Sequence, residues 1–225
     1  MSEKMSVGEY LDFCFIPGRS KTKSKDLDES AARSPDMTDF KASVVAYEVQ
    51  KSFANTFFTN RTVAKSLIDD TSARLLDNLY LLLKTYTGNK DESKKTVRNI
   101  IKISVKIGML QRGEKFSDPE KDGLVQIQRK LRMVAMTLVS FFQVDHTYDR
   151  IFVIKQLGEL EDLLINLIQP HLTDKSIGRV DQIFTVVKTG EFLDSIYVPN
   201  KNLDMRDIMG RVVEDVNSCI EAGTL

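Results

Sequence analysis

Residues 91–112 constrain the fold more than any other stretch of the chain. Wound at 100° per residue, Val97, Ile100, Ile101, Ile103, Val105, Ile107, Gly108 and Leu110 cover well over half of the helix circumference. A helix lying on a protein surface needs an apolar arc of only about 100°. This one is therefore mostly surrounded by other elements. Its single wet strip, Lys95, Arg98, Lys102 and Lys106 at i, i+3, i+7 and i+11, is wholly basic. Burying such a helix takes several amphipathic partners.

The rest of the sequence supplies them. Phe40, Val44, Tyr47, Val49, Phe53 and Phe57 predict a first helix with that face inward, and Asn60-Arg61 marks an irregularity after it. Asp69, Asp70 and Thr71 offer N-cap chemistry for a second, which carries Leu75, Leu76, Leu79, Leu82, Leu83 and Tyr86 and ends at Gly88-Asn89. Gly113 closes the third. Asp118-Pro119-Glu120 opens a fourth, with an N-cap residue followed by proline at the first helical position. It carries Leu124, Ile127, Leu131, Val134, Leu138 and Phe141. Between Met133 and Phe142 only Thr137 and Ser140 interrupt an apolar run, too short for a bilayer span of about 20 residues. A polar cluster follows: Gln143, Asp145, His146, Thr147, Asp149 and Arg150. A fifth helix over about 147–169 turns Ile151, Ile154, Leu157, Leu160, Leu164, Leu167 and Ile168 inward and stops at Pro170. Thr173 caps a sixth, bearing Ile177, Val180, Ile183, Phe184 and Val187; a short helical turn covers 191–197, and a last helix about 203–222. No strand alternation is visible, so the pattern predicts an all-α bundle of six to seven helices with short connections.

The domain starts at Phe40. Residues 1–39 read as a flexible tail, because 18–39 hold only Leu27 and Met37 as large apolar residues. Within it Arg19, Lys21, Lys23 and Lys25 alternate with Ser and Thr, a pattern of a solvated linker or of a weak membrane contact. Asp26, Asp28 and Glu29 follow directly and favour the linker. Upstream, Tyr10 to Ile16 is one apolar patch able to dock on the domain or a partner. Lysine plus arginine and aspartate plus glutamate balance at 32 each, so no overall field draws the protein to nucleic acid or anionic membrane. Two cysteines near opposite ends, Cys14 and Cys219, suit a reducing cytosol. With no signal-peptide pattern at the amino terminus, the expectation is a cytoplasmic protein.

Chemistry-bearing motifs are sparse. His146 and His171 flank helix boundaries in no metal-binding spacing, and neither a phosphate-binding loop nor a nucleophile elbow occurs. Asp145, Thr147 and Asp149 are the residues that capping the fifth helix requires, which makes the polar cluster a corner and not an acid–base site. The chain reads as no enzyme. Arg112 ends the third helix, and Arg129, Lys130 and Arg132 form a second basic group on the fourth. Aromatics interleaved for nucleic-acid stacking are absent.

These residues also carry a resemblance. SLIDDTS (66–72), LDNLY (76–80), YTGNK (86–90), the Arg98-Asn-Ile-Ile-Lys block, AMTLVSFFQVDHTYDR (135–150), HLTDKSIGRV (171–180) and EFLDSIY (191–197) resemble the tumour necrosis factor alpha-induced protein 8 (TIPE) family. The likeness spans about 60–200 and extends to a domain of 40–225. It implies a mirrored death-effector-like helical topology around a central hydrophobic cavity that holds phospholipid. Cavity-lining residues would then be Leu79, Leu83, Ile101, Val105, Leu138, Phe141, Phe142, Leu160, Leu164, Ile183 and Val187. Headgroup binding, phosphoinositide included, falls to Arg112, Lys102, Lys106, Arg98, Arg129 and Lys130. Arg112 matches a family cation near the cavity mouth, whereas Gln128 stands in place of a second family arginine. The implied role is a lipid-binding or lipid-transfer regulator of signalling, apoptosis and immune balance, with transient membrane contact and no cofactor beyond the lipid. The alternative is a lipid-independent adaptor for cell-death or small-GTPase signalling proteins.

Overall fold

The computed structural model describes residues 40–57, 68–144, 147–222 and 225. The tail 1–39, the Asn60-Arg61 irregularity and Asp145-His146 lie outside these residues. The described residues are helical throughout: α1 (Ala42–Phe57), α2 (Asp70–Thr87), α3 (Lys90–Arg112), α4 (Asp118–Gln143), α5 (Arg150–Ile168), α6 (Asp174–Val187), α7 (Gly190–Tyr197) and α8 (Leu203–Glu221). That is one element more than the predicted six to seven, because the turn at 191–197 is a complete two-turn helix.

The caps explain the boundaries. The Asp69 side chain accepts from Ser72 N–H at 2.7 Å, and Gly88 ends α2 at φ 62°, a conformation that glycine adopts without Cβ strain. Asn89 caps α3 by accepting from Asp91 and Glu92 N–H, both at 3.1 Å. The N-cap of α4 is Ser117, one residue before the predicted one. Its N–H and hydroxyl both donate to the Glu120 carboxylate at 2.7 Å, and His171 pairs with the other Glu120 oxygen at 2.7 Å. These bonds hold the Glu120 carboxyl down at about 2, led by the Ser117 hydroxyl. Helix α5 starts three residues later than the sequence suggests, because, of the expected capping residues, it is Asp149 that accepts from Phe152 N–H, at 3.0 Å.

Two inward faces differ from expectation. On α1, Val44 is 52% and Tyr47 68% exposed, while Ala42, Val45, Ala46 and Val49 are buried. Small residues at i, i+3, i+4 and i+7 let this helix lie close against α2 and α3. On α5, Ile151 is 78% exposed and Val153 takes the inward place.

The packing contacts close a ring. Helix α2 packs on α8, α8 on α4, α4 on α5, α5 on α6, α6 on α3, and α3 back on α2. Helix α1 lies outside the ring against α3 and α2, and α7 packs on α5, α6 and α8. Six cylinders in a ring leave a central gap about as wide as a helix, roughly 10 Å, which side chains must fill. Leu76, Leu83, Ile101, Ile127, Ile168 and Met205 are almost wholly buried in the core. Each contributes about 1.5–3 kcal/mol by leaving water. Polar ties fix the ring's register: Arg74 and Asn78 of α2 both donate to Asp215 of α8, at 3.2 and 2.8 Å.

Candidate site: a basic groove and an apolar pocket on opposite sides of one seam

Helix α3 presents two unlike faces. Ile100, Ile103, Ser104 and Ile107 line an apolar pocket, completed by Leu124, Ile127 and Leu131 of α4, Leu160 and Leu164 of α5, and Val180, Ile183 and Phe184 of α6. The basic strip lies about 150° round the same helix. There Lys94, Lys95, Arg98, Asn99 and Lys102 form one wall of a groove whose other walls are Phe40, Lys41, Val44, Val45 and Glu48 at α1, and Lys175, Gly178, Arg179 and Gln182 on α6.

The seam between α3 and α6 separates the two. It is fastened by Asn99 Nδ2 donating to Gln182 Oε1 at 3.1 Å, and by Lys106 Nζ donating to Ser176 Oγ at 2.6 Å. Lys106 also stands 5.1 Å above the Phe53 ring, a cation–π contact that holds α1 against the same helix.

The groove encloses about 1000 Å³. Among the described residues, Lys95, Arg98, Lys102, Lys175 and Arg179 form no ion pair; Glu48 and Asp91 stand on the lining without reaching them. The cations act on one another instead. Burial lowers the affinity of Lys102 for its proton, and Arg179, Arg98 and Lys175 lower it further. Lys106 is shifted the same way, by burial first and then by Arg179, Lys102 and Lys175. Like charges gathered without counter-charge cost stability. Lys175 lies in the first turn of α6, where the helix dipole already favours anions. The lining carries more positive than negative charge, so its field favours anions.

The pocket is the chemical opposite. It encloses about 220 Å³, and Ser104 is its one polar lining residue. A dry cavity of about 150 Å³ holds benzene, so this one holds on the order of nine carbons. Two full acyl tails exceed it. The pocket lies inside the ring, where α3 and α4 face each other and α5 and α6 complete the wall. One turn beyond Ile107 on this face, the buried Gln111 Oε1 accepts no hydrogen bond among the described residues.

The predicted site residues are distributed accordingly. Arg98 and Lys102 meet in the groove, with Lys106 at its seam. Arg112 stands apart at the carboxyl end of α3, its guanidinium partly desolvated. Lys130 is engaged across the α4–α5 interface by Glu159 and by Gln156 at 2.6 Å. Arg129 borders a shallow surface patch with Arg132, Met133, Met136 and Phe152. Of the predicted cavity residues, Leu160, Leu164 and Ile183 line the pocket. Leu83, Ile101 and Val105 are core side chains, and Leu79, Leu138, Phe141, Phe142 and Val187 pack at its edge. Phe142 lies under the Arg206 guanidinium at 5.2 Å, which places it toward α8. Lys175 and Arg179 complete the groove and are absent from the predicted set. Their i, i+4 spacing in the KSIGR turn was visible, but the packing of α6 beside α3 was not.

The polar corner is structural where it is described. Tyr148 donates to Asp194 at 3.0 Å and Arg150 pairs with the same carboxylate at 2.9 Å, tying the α4–α5 connection to α7. Cys219 is wholly buried. No helix among the described residues is long and apolar enough to cross a membrane.

Comparison with known proteins places these features in a family. The family model described as "Tumor necrosis factor alpha-induced protein 8-like" matches residues 40–223. A tumor necrosis factor alpha-induced protein 8-like protein of Drosophila pseudoobscura pseudoobscura is 39% identical over 186 residues, covering 83% of this chain and 97% of its own length. Protein salivary glands marred of Drosophila melanogaster is 38% identical with the same coverage. Among solved structures, the C-terminal region of G-protein interacting protein 1 (Gip1) from Dictyostelium discoideum superposes with a TM-score of 0.59 at 17% identity, over 69% of this chain and 93% of that one. That likeness is one of fold. The chain belongs to the tumor necrosis factor alpha-induced protein 8-like family.

Proposed function

We propose that this member of the tumor necrosis factor alpha-induced protein 8-like family is a non-enzymatic, phospholipid-binding regulator of signalling and apoptosis that works in the cytoplasm and meets membranes peripherally. The observation that supports the reading is the pairing of an uncompensated cation cluster with an apolar pocket across one helix–helix seam. An anionic headgroup, a phosphoinositide among them, would supply the counter-charge that Arg98, Lys102, Lys175 and Arg179 lack. Hydrocarbon would occupy the apolar pocket that α3, α4, α5 and α6 enclose. Each methylene buried there is worth about 0.8 kcal/mol. Arg112 is the cation at the end of α3.

Solvent extraction and native mass spectrometry of the purified protein test this. Phospholipid co-purifies at near-stoichiometric amounts if the reading is right; a lipid-free protein that also ignores anionic vesicles refutes it.

A second reading is a protein-interaction adaptor. It is favoured by the exposed Met133, Met136 and Phe152, which form an apolar surface on α4 and α5. Partner capture that survives delipidation and blocking of the pocket would support it.

A further inference from the structure

The basic groove begins where the chain enters the family domain. Phe40 lines it and is firmly held: 5% exposed, stacked on Tyr80 at a ring separation of 4.7 Å, with Ala42 N–H donating to Asp77 at 2.7 Å. The residue before Phe40 is therefore within one Cα step, about 3.8 Å, of the groove's lip. The stretch that leads to it, residues 26–39 (DLDESAARSPDMTD), carries Asp26, Asp28, Glu29, Asp36 and Asp39 against a single Arg33. It precedes the family match, which starts at residue 40.

We propose that residues 26–39 dock in the groove between α1, α3 and α6 as an acidic strap, neutralising the cation cluster and competing with any external anion. Charge complementarity selects this occupant. Five carboxylates meet Lys95, Arg98, Lys102, Lys175 and Arg179, which have no ion pairs among the described residues. Reach is ample: the groove's α3 wall from Asp91 to Lys102 is about 16 Å long, and fourteen extended residues span about 46 Å. Met37, three positions before Phe40, suits the apolar strip of Val44 and Val45. The basic run upstream, Arg19, Lys21, Lys23 and Lys25, is repelled by the same cluster, which limits the docked stretch at Asp26. Tethering gives the segment an effective concentration in the millimolar range, so individually weak ion pairs suffice to populate the docked form. The inference rests on the groove as an anion receptor and not on lipid as its ligand.

Zero-length carbodiimide coupling of the full chain, with the monomer isolated and its peptides sequenced by mass spectrometry, tests the contact. The diagnostic links join Asp26, Asp28 or Glu29 to Lys95, Lys102 or Lys175, and they disappear near 1 M salt, where the screening length falls to about 3 Å. Links spread equally over distant lysines such as Lys84 and Lys155, or formed only between chains, overturn the proposal. A second arm compares binding to phosphatidylserine vesicles by the full chain and by its D26N/D28N/E29Q/D36N/D39N variant. Removal of a tethered competitor tightens vesicle binding by about tenfold. Equal binding overturns the competition. Specific links without vesicle binding by either protein uphold the strap and refute the lipid reading; equal vesicle binding without links does the reverse.

Discussion

The two sides of the α3–α6 seam obey opposite rules. On the inner side, Ile100, Ile103, Ile107, Leu160 and Ile183 gain stability by leaving water, and the fault is too little contact: an unfilled pocket inside the ring. On the outer side, Arg98, Lys102, Lys175 and Arg179 repel one another in a shared groove. Folding alone would fill the first and disperse the second. Both persist in one helix, and under the proposed function a different part of an amphipathic ligand would relieve each. That is the physical content of the lipid reading.

The largest expected effect concerns the inner side. Ile101→Ala removes a fully buried side chain of α3 and is expected to cost about 2–5 kcal/mol in denaturant unfolding. Leu164→Ala, whose side chain borders an existing gap, should cost about half as much. Equal losses would mean that the gap closes in solution. Filling the pocket comes next: Leu164→Phe should change stability by less than about 1.5 kcal/mol while abolishing lipid co-purification, read by solvent extraction. Retained lipid would place the hydrocarbon elsewhere.

The outer side predicts smaller changes of opposite sign. Lys102→Gln should stabilise the fold by a few tenths of a kcal/mol, because it removes a repelled, partly desolvated charge. The wild-type melting temperature should also rise more steeply with salt than that of the variant. The mildest effect is on pH dependence. Lys102 and Lys106 hold protons less tightly folded than unfolded, so in the alkaline range below 10.5 the unfolded chain binds more protons. Stability should therefore rise with pH through that window, and the rise should shrink in K102Q.

Much of this fold was legible in the sequence because helix caps and apolar periodicity are local. Asp69, Thr173, Gly88 and the wide apolar arc of α3 all point to the elements observed. The face of α1 differs from the expected one because Val44 and Tyr47 outweigh Ala42 and Ala46 in any hydrophobicity count, whereas close packing on α2 and α3 selects the small residues. The candidate site was half legible. Arg98 and Lys102 stand out as a stripe, but Lys175 and Arg179 join them only through a tertiary contact between α3 and α6. The same holds for the pocket: Leu164 and Ile183 were visible as inward residues, while Ile101 and Ile103 differ only in azimuth on α3.

The central claim is that the groove formed by Arg98, Lys102, Lys175 and Arg179 receives an anionic headgroup. Vesicle flotation with phosphatidylserine liposomes at about 0.1 M salt tests it most directly, using the full chain and its R98Q/R179Q variant side by side. The account predicts that the wild type floats, that the variant remains in the dense fraction, and that both melt at closely similar temperatures. Equal flotation of the two proteins would contradict it.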